Sequence, residues 1–196
     1  MHQNNLMKQE TQNILNEFED IPSIPGTFKE RLFASLIDGL VLLPLALIDW
    51  FNKSDFKSQL LLILVFLVGV SYKLFFEFKF GATIGKKSMK LMVVNTELNR
   101  VGLKEVLVRN IFDILWRTFF FIISLIIYRS VEFSHISSNE EFVSLSNKLI
   151  NTNPYLVVYS LVVLIEIIFM LSDKKRRALH DRMGDTLVIK INNNRI

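Results

Sequence analysis

The chain has 196 residues, 51% of them apolar and 21% charged; 17 are Phe, none is Cys, and the formal net charge is +4. Its mean hydropathy of +0.34 lies above the usual range of soluble domains, and the apolar residues fall in long uncharged runs rather than on amphipathic faces. Without Cys there is no disulfide framework, no Cys-ligated zinc or iron–sulfur cluster and no thiol nucleophile.

Residues 1–28 read as a polar cytoplasmic tail, with Ile14, Leu15 and Phe18 at helical spacing before Pro22, Pro25 and Gly26; a short surface helix and disorder both fit. Glu10, Glu17, Glu19 and Asp20 replace the basic leader of a signal peptide, and none is expected. Residues 29–191 are expected to form one membrane domain. Hydrocarbon ~30 Å thick takes about 20 apolar residues at ~1.5 Å each, and four segments come close. The first, 32–50, carries only Asp38 and Asp49 as charges and holds Pro44 in its interior. The second, 58–78, is uncharged as far as Tyr72 and then meets Lys73 and Glu77. After it, Leu91 to Asn95 reads as a strand, with a turn at Asn99 and a second short strand at Val101. The third span, 106–128, is polar in its first half and apolar from Thr118. The Ser- and Asn-rich loop 130–153 follows, with helix expected over 142–149. The fourth span, 154–172, opens on Pro154 and carries only Glu166. Thr186 to Ile191 alternates, is rich in β-branched residues, and is expected to pair with 91–95. Residues 192–196 form a C-terminal tail. The expected class is an all-α membrane protein with four transmembrane helices and a small cytoplasmic β-hairpin or strand pair.

Basic flanks set the orientation. Lys8, Lys29 and Arg31 precede or open the first span, seven basic residues lie between Lys79 and Arg109, and seven follow Ser172. The opposite side holds only Lys53, Lys57, Arg129 and Lys148, so both termini are expected to be cytoplasmic in a multi-pass cell-membrane protein. These charges lie beside spans rather than on a separate soluble face, which points to anionic lipid headgroups and away from nucleic acid.

Gly81-Ala82-Thr83-Ile84-Gly85-Lys86-Lys87-Ser88 is one residue short of a phosphate-binding loop, with Lys87 where the hydroxyl belongs. It reads instead as a glycine-permitted turn off the bilayer, with lysines at headgroup level. His180-Asp181 lacks the further ligands of a metal site, since His2 and His135 are the only other histidines and the spans separate His135 from them. Asp181 is expected to bond a helix end or a nearby arginine. The informative feature is a layer of ionisable residues within the spans, where each costs several kcal/mol unless paired or hydrated. Asp38, Lys73 and Glu166 fall at one depth, ~10 Å from the cytoplasmic end at ~1.5 Å per residue. Lys73 and Glu77 are spaced i, i+4, and Arg109, Asp113 and Arg117 follow an i, i+4, i+8 ladder on one helix face. Arg31, Lys73, Arg109 and Arg117 thus oppose Asp38, Glu77, Asp113 and Glu166, either as a neutral network that registers the helices or as a proton or cation path.

Arg31 and Asp38 in the first span, the run Gly81 to Lys87, Val93-Val94, Arg109-Asn110 and Ala178-Leu179-His180-Asp181 together resemble the RDD family over about residues 28–190. The family's Arg and two Asp correspond to Arg31, Asp38 and Asp181. The chain departs from the family pattern at Lys90, commonly Gly, and at Gly184-Asp185, commonly Ala-Gly. The resemblance implies a multi-pass cell-membrane protein, some of whose relatives are thought to act in transport, including sodium–proton exchange; it implies no cofactor and no catalytic residue. The expected function is a transport or transport-accessory role for a small cation or proton. Asp38 and Glu166 are the expected titratable carboxylates, with Arg31, Arg109 and Arg117 as electrostatic partners. Four helices leave little room for a rocking midplane site, so transport implies a homodimer or larger assembly. The alternative is a non-transporting adaptor or assembly factor that binds lipid headgroups or a protein partner, and an enzyme is not expected.

Overall fold

The computed structural model describes residues 24–149 and 153–191, and in it four helices long and apolar enough to cross a membrane converge at one end on a three-stranded sheet. β1 (Ile24–Pro25) leads into α1 (Phe28–Phe51) through Thr27. The Thr27 hydroxyl accepts from the Glu30 amide, and the Glu30 carboxylate accepts from Thr27 N at 2.8 Å, a reciprocal cap on the part-buried first turn. Pro44 lies inside α1, and a wider turn over Asn52–Phe56 carries the chain to Lys57, which reverses it at φ 49°. Ser58 caps α2 (Gln59–Phe80), and Gly81, at φ +67°, ends it. α3 (Ile84–Ser88) follows its own cap Thr83 and leads to β2 (Leu91–Asn95).

The third span differs from the expected single helix over 106–128. It is two helices, α4 (Leu103–Arg109) and α5 (Ile111–Tyr128), that break at Asn110 (φ −96°, ψ 9°). The Asn110 side chain donates to the Val106 carbonyl at 2.8 Å and to Glu77 at 2.9 Å, so it competes with the helical ladder for backbone partners. The break turns Arg109 away from Asp113 and Arg117, and the three-residue ladder does not form.

At the far end, a turn over Val131–His135 and α6 (Asn139–Leu149) cover α2 and α5 with Tyr128, Phe133, Ile136, Phe142 and Leu145. α7 (Asn153–Ser172), α8 (Leu179–Met183) and β3 (Thr186–Lys190) complete the described chain. The 1–28 tail reading around Ile14, Leu15 and Phe18 and the 192–196 tail fall on residues outside those described.

β3 is the central strand, antiparallel to β2 from Leu91↔Lys190 to Asn95↔Thr186 and to β1 at Ile24↔Lys190. The pairing of 91–95 with 186–190 is the expected one, and β1 adds a strand that no alternation announces. A strand at Val101 does not form: Val94 and Arg100 make one isolated bridge, and Val101 turns into the core. Because β1 precedes α1, β2 follows α2 and β3 follows α7, the sheet gathers these span ends on one side. Leu91, Val93, Val106 and Val188 pack beneath it against Ala34. Within the spans, large apolar side chains such as Leu40 (67% exposed) and Leu171 (69%) face outward, as expected where lipid is the solvent.

Candidate functional site

Charged groups divide between two places, a dry network at the sheet end and a cavity inside the bundle. Arg109, at the last turn of α4, centres the network. Its Nη1 donates to Asp181 Oδ1 and, at 2.9 Å, to Thr186 Oγ1. Its Nε lies 3.3 Å from Glu77 Oε2, an ionic contact whose angle does not make a hydrogen bond. Glu77 also receives Lys86 and Asn110, and Asp181 receives Arg31 Nη1 at 2.5 Å and the Ala178 amide at 3.1 Å. Both carboxylates are 0% exposed. Burial disfavours the charge of Asp181, yet Arg109, His180 and Arg31 hold its carboxyl well below the usual range. Burial likewise opposes the charge of Arg109, and the two carboxylates beside it offset that cost. For Lys86 burial wins over Glu77, and the ammonium pKa falls to about 8.

Arg31 and Asp181 therefore pair, and Asp38, the third family position, stands elsewhere. Asp38 accepts from Tyr72 Oη at 2.7 Å, Thr83 Oγ1 at 2.6 Å and the Gly85 amide at 2.8 Å, and among the described residues no arginine reaches it. The approach is close: a methyl on Gly85 would lie 2.0 Å from the Ala34 carbonyl oxygen. Glu166 also lacks the expected direct arginine partner. It contacts His180 through the ring Nδ1 and accepts from the His180 amide at 3.3 Å. Lys73 makes no direct ion pair with Glu77; Lys86 takes that place, turned inward from the headgroup level expected of it, while Lys87 Nζ sits 4.3 Å over the Phe80 ring.

Asp113 and Arg117 remain paired, Nε to Oδ2 at 3.1 Å, but in a different setting. They line a cavity of about 470 Å³ between α1, α2, α5 and α7, with Asp49 and Lys53, themselves paired at 2.6 Å, toward its far end. Phe66 stacks on Phe121 and Trp116 on Tyr159 along the wall, each pair at 4.1 Å. A side chain at Gly69 would stand 3.4 Å from Arg117 Nη1, so the absence of one leaves room for the guanidinium. Among the described residues no group of three or more His, Cys, Asp or Glu is disposed to hold a metal.

Sequence reasoning found the Asp113–Arg117 spacing and the glycine turn, and missed Lys86, Asn110, Thr83, Tyr72 and His180 as partners of the buried carboxylates. Thr83 followed by Lys86 three residues later is a legible helix start. The long-range partners leave no local trace. No curated protein and no solved structure matches the chain. The RDD family model matches residues 25–185, from β1 to the residue before β3. With that match over most of its length and four membrane-capable helices, the chain belongs to the RDD family of membrane proteins.

Proposed function

We propose that this protein has a transport or transport-accessory role in the cell membrane, with both termini cytoplasmic, and that a proton or small cation moves by way of the α1–α2–α5–α7 cavity. The observation that carries the reading is the half-exposed Asp113–Arg117 pair, 30% and 39% exposed, lining a cavity within the spans. An ionisable pair at that depth is costly and marks a pathway by default. The site shifts from the expected Asp38 and Glu166 to Asp113. Asp38 already accepts from three donors, whereas Asp113 is held only by Arg117 of its own helix. The basic sheet end faces the cytoplasm on this reading, with Lys79, Lys87 and Arg182 available to anionic headgroups, and a homodimer or larger assembly supplies the partner bundle. No enzymatic activity is proposed.

The test is reconstitution into vesicles with a lumenal pH dye under imposed sodium, potassium and organic-anion gradients. Protein-dependent pH change, abolished in Asp113→Asn that still inserts and assembles, is the expected result. Its absence under every gradient refutes transport and favours the second reading, a non-transporting adaptor. The observation behind that reading is the dry Glu77–Arg109–Asp181 network, which fastens the sheet end as a rigid platform.

A further inference from the structure

Arg117 spends only one of its donors inside the protein. Nε donates to Asp113, and no described residue accepts from Nη1 or Nη2, although the side chain lies inside a membrane span. A guanidinium fork with free donors is open to an incoming acceptor, and its planar geometry matches a carboxylate through two parallel bonds. Around it the cavity mixes aromatic walls (Phe66, Trp116, Phe121) with the charges of Asp49, Lys53 and Asp113, and its volume of about 470 Å³ falls within the ~300–1,000 Å³ of small-molecule sites. Arg117 stands six residues into α5, ~9 Å from that helix's end at ~1.5 Å per residue. It also faces Gly69, which is eleven residues from the end of α2. Arg117 thus attaches below the ends of both helices.

Resting on the transport reading above, we infer that the cavity binds a small monocarboxylate with an apolar or aryl body, its carboxylate on the Arg117 fork, and that it arrives with one proton. The proton follows from charge. Asp113 shares the cavity with Arg117 of its own helix, Asp49 of α1, Lys53 of the turn that follows it and Tyr159 of α7; α2 adds no ionisable side chain to the lining. Two acids face two bases, so the empty cavity is neutral, and an added carboxylate leaves one negative charge that a proton from water, taken up on Asp113, cancels. Asp113 is the acceptor because it is the carboxylate hydrogen-bonded to the guanidinium that the ligand engages.

Trp116 lines the site and the only other tryptophan, Trp50, does not, so Trp50→Phe leaves one reporter fluorophore in place. In lipid nanodiscs this protein, titrated with phenylacetate, is expected to show a saturable change in Trp116 emission. Arg117→Gln and Gly69→Leu, the second filling the space at the fork without removing a charge, each weaken binding at least about tenfold, as does replacing phenylacetate by phenethyl alcohol. About one proton is taken up per ligand at neutral pH, and Asp113→Asn binds with none. Oleate competing at the same site identifies the bilayer as the source of the carboxylate; phenylacetate binding that oleate leaves untouched identifies water. No saturable change, equal affinity in Arg117→Gln and Gly69→Leu, or binding without proton uptake overturns the inference. Binding with proton uptake but no proton movement in vesicles beyond that of Arg117→Gln refutes transport and leaves the carboxylate site standing; ion-driven flux without phenylacetate binding does the reverse.

Discussion

Replacing Arg109 by Met tests whether the sheet end is held by its buried charges. The guanidinium is 3% exposed and lies between two carboxylates that are 0% exposed. Removing one partner of a buried pair costs ~3–5 kcal/mol, because a charge is left without compensation. Each carboxylate keeps a second cation, Arg31 for Asp181 and Lys86 for Glu77, so the low end, ~3 kcal/mol, is expected. Arg109→Lys retains the charge but cannot reach Asp181, Thr186 and Glu77 together, and about half that loss is expected. The assay is reversible unfolding in mixed micelles, followed at pH 7 and pH 5. Asp181 has a depressed folded pKa, so its contribution is present above the unfolded value, ~3.9, and is lost only as pH falls through the folded value. The parent therefore keeps that contribution at pH 5, whereas Arg109→Met, stripped of the strongest cation beside Asp181, loses more on acidification. Adding Asp181→Asn to Arg109→Met removes the stranded charge and should restore part of the stability. A loss under ~1 kcal/mol, or a double variant no better than the single, would refute the argument that paired buried charge holds this end together.

Gly85→Ala places a methyl 2.0 Å from the Ala34 carbonyl and 2.8 Å from Asp38 Cγ, neither of which is a flexible chain end; a loss of at least ~3 kcal/mol is expected in thermal unfolding. Lys90 and Asp185 hold φ of 55° and 49°, the left-handed region that favours Gly, so Lys90→Gly and Asp185→Gly should each stabilise by ~0.5–1 kcal/mol, the left-handed strain relieved less glycine's entropy, measured as a rise in midpoint. Lys86, lowered to about 8 from 10.5, binds fewer protons folded than unfolded across that interval, so its contribution to stability increases with pH from about 8 to 10.5; Lys86→Met should flatten that slope in a pH series of unfolding curves.

The spans were legible because a length of uncharged apolar residues has one physical use, and the strand pairing because alternation at 91–95 and 186–190 is local. What escaped reading depends on direction. Arg109, Asp113 and Arg117 share a face only if helix continues through Asn110, and whether an Asn continues a helix or bonds back to its own backbone depends on Glu77, thirty-three residues away. Asp38 was expected to need a cation, since a bare carboxylate in lipid does. A hydroxyl from Tyr72, another from Thr83 and the Gly85 amide meet the same need without charge, and residue type alone does not distinguish the two solutions. Glycine at position 85 was read as turn chemistry, whereas its geometry answers to Ala34 on another helix.

The same division between dry and half-exposed charge determines which part of the molecule is free to change. A buried pair such as Arg109–Asp181 costs ~3–5 kcal/mol to open, and it joins α4 to α8 while Arg31 joins α1 to the same carboxylate. Asp113–Arg117 is an i, i+4 pair with a third of its surface open, a class worth ~0.3–0.5 kcal/mol on an exposed helix, and it joins no two helices. Exchange of partners at Arg117 therefore leaves the helix ends in register, whereas exchange at Arg109 releases α8 and the sheet. Of the residues that carry the family resemblance, Arg31 and Asp181 bind where movement is most costly, whereas Asp38 is held by three neutral donors. On the proposed transport reading, a partner-switching step falls to Arg117, and the fastened end holds the cavity wall in place while it occurs.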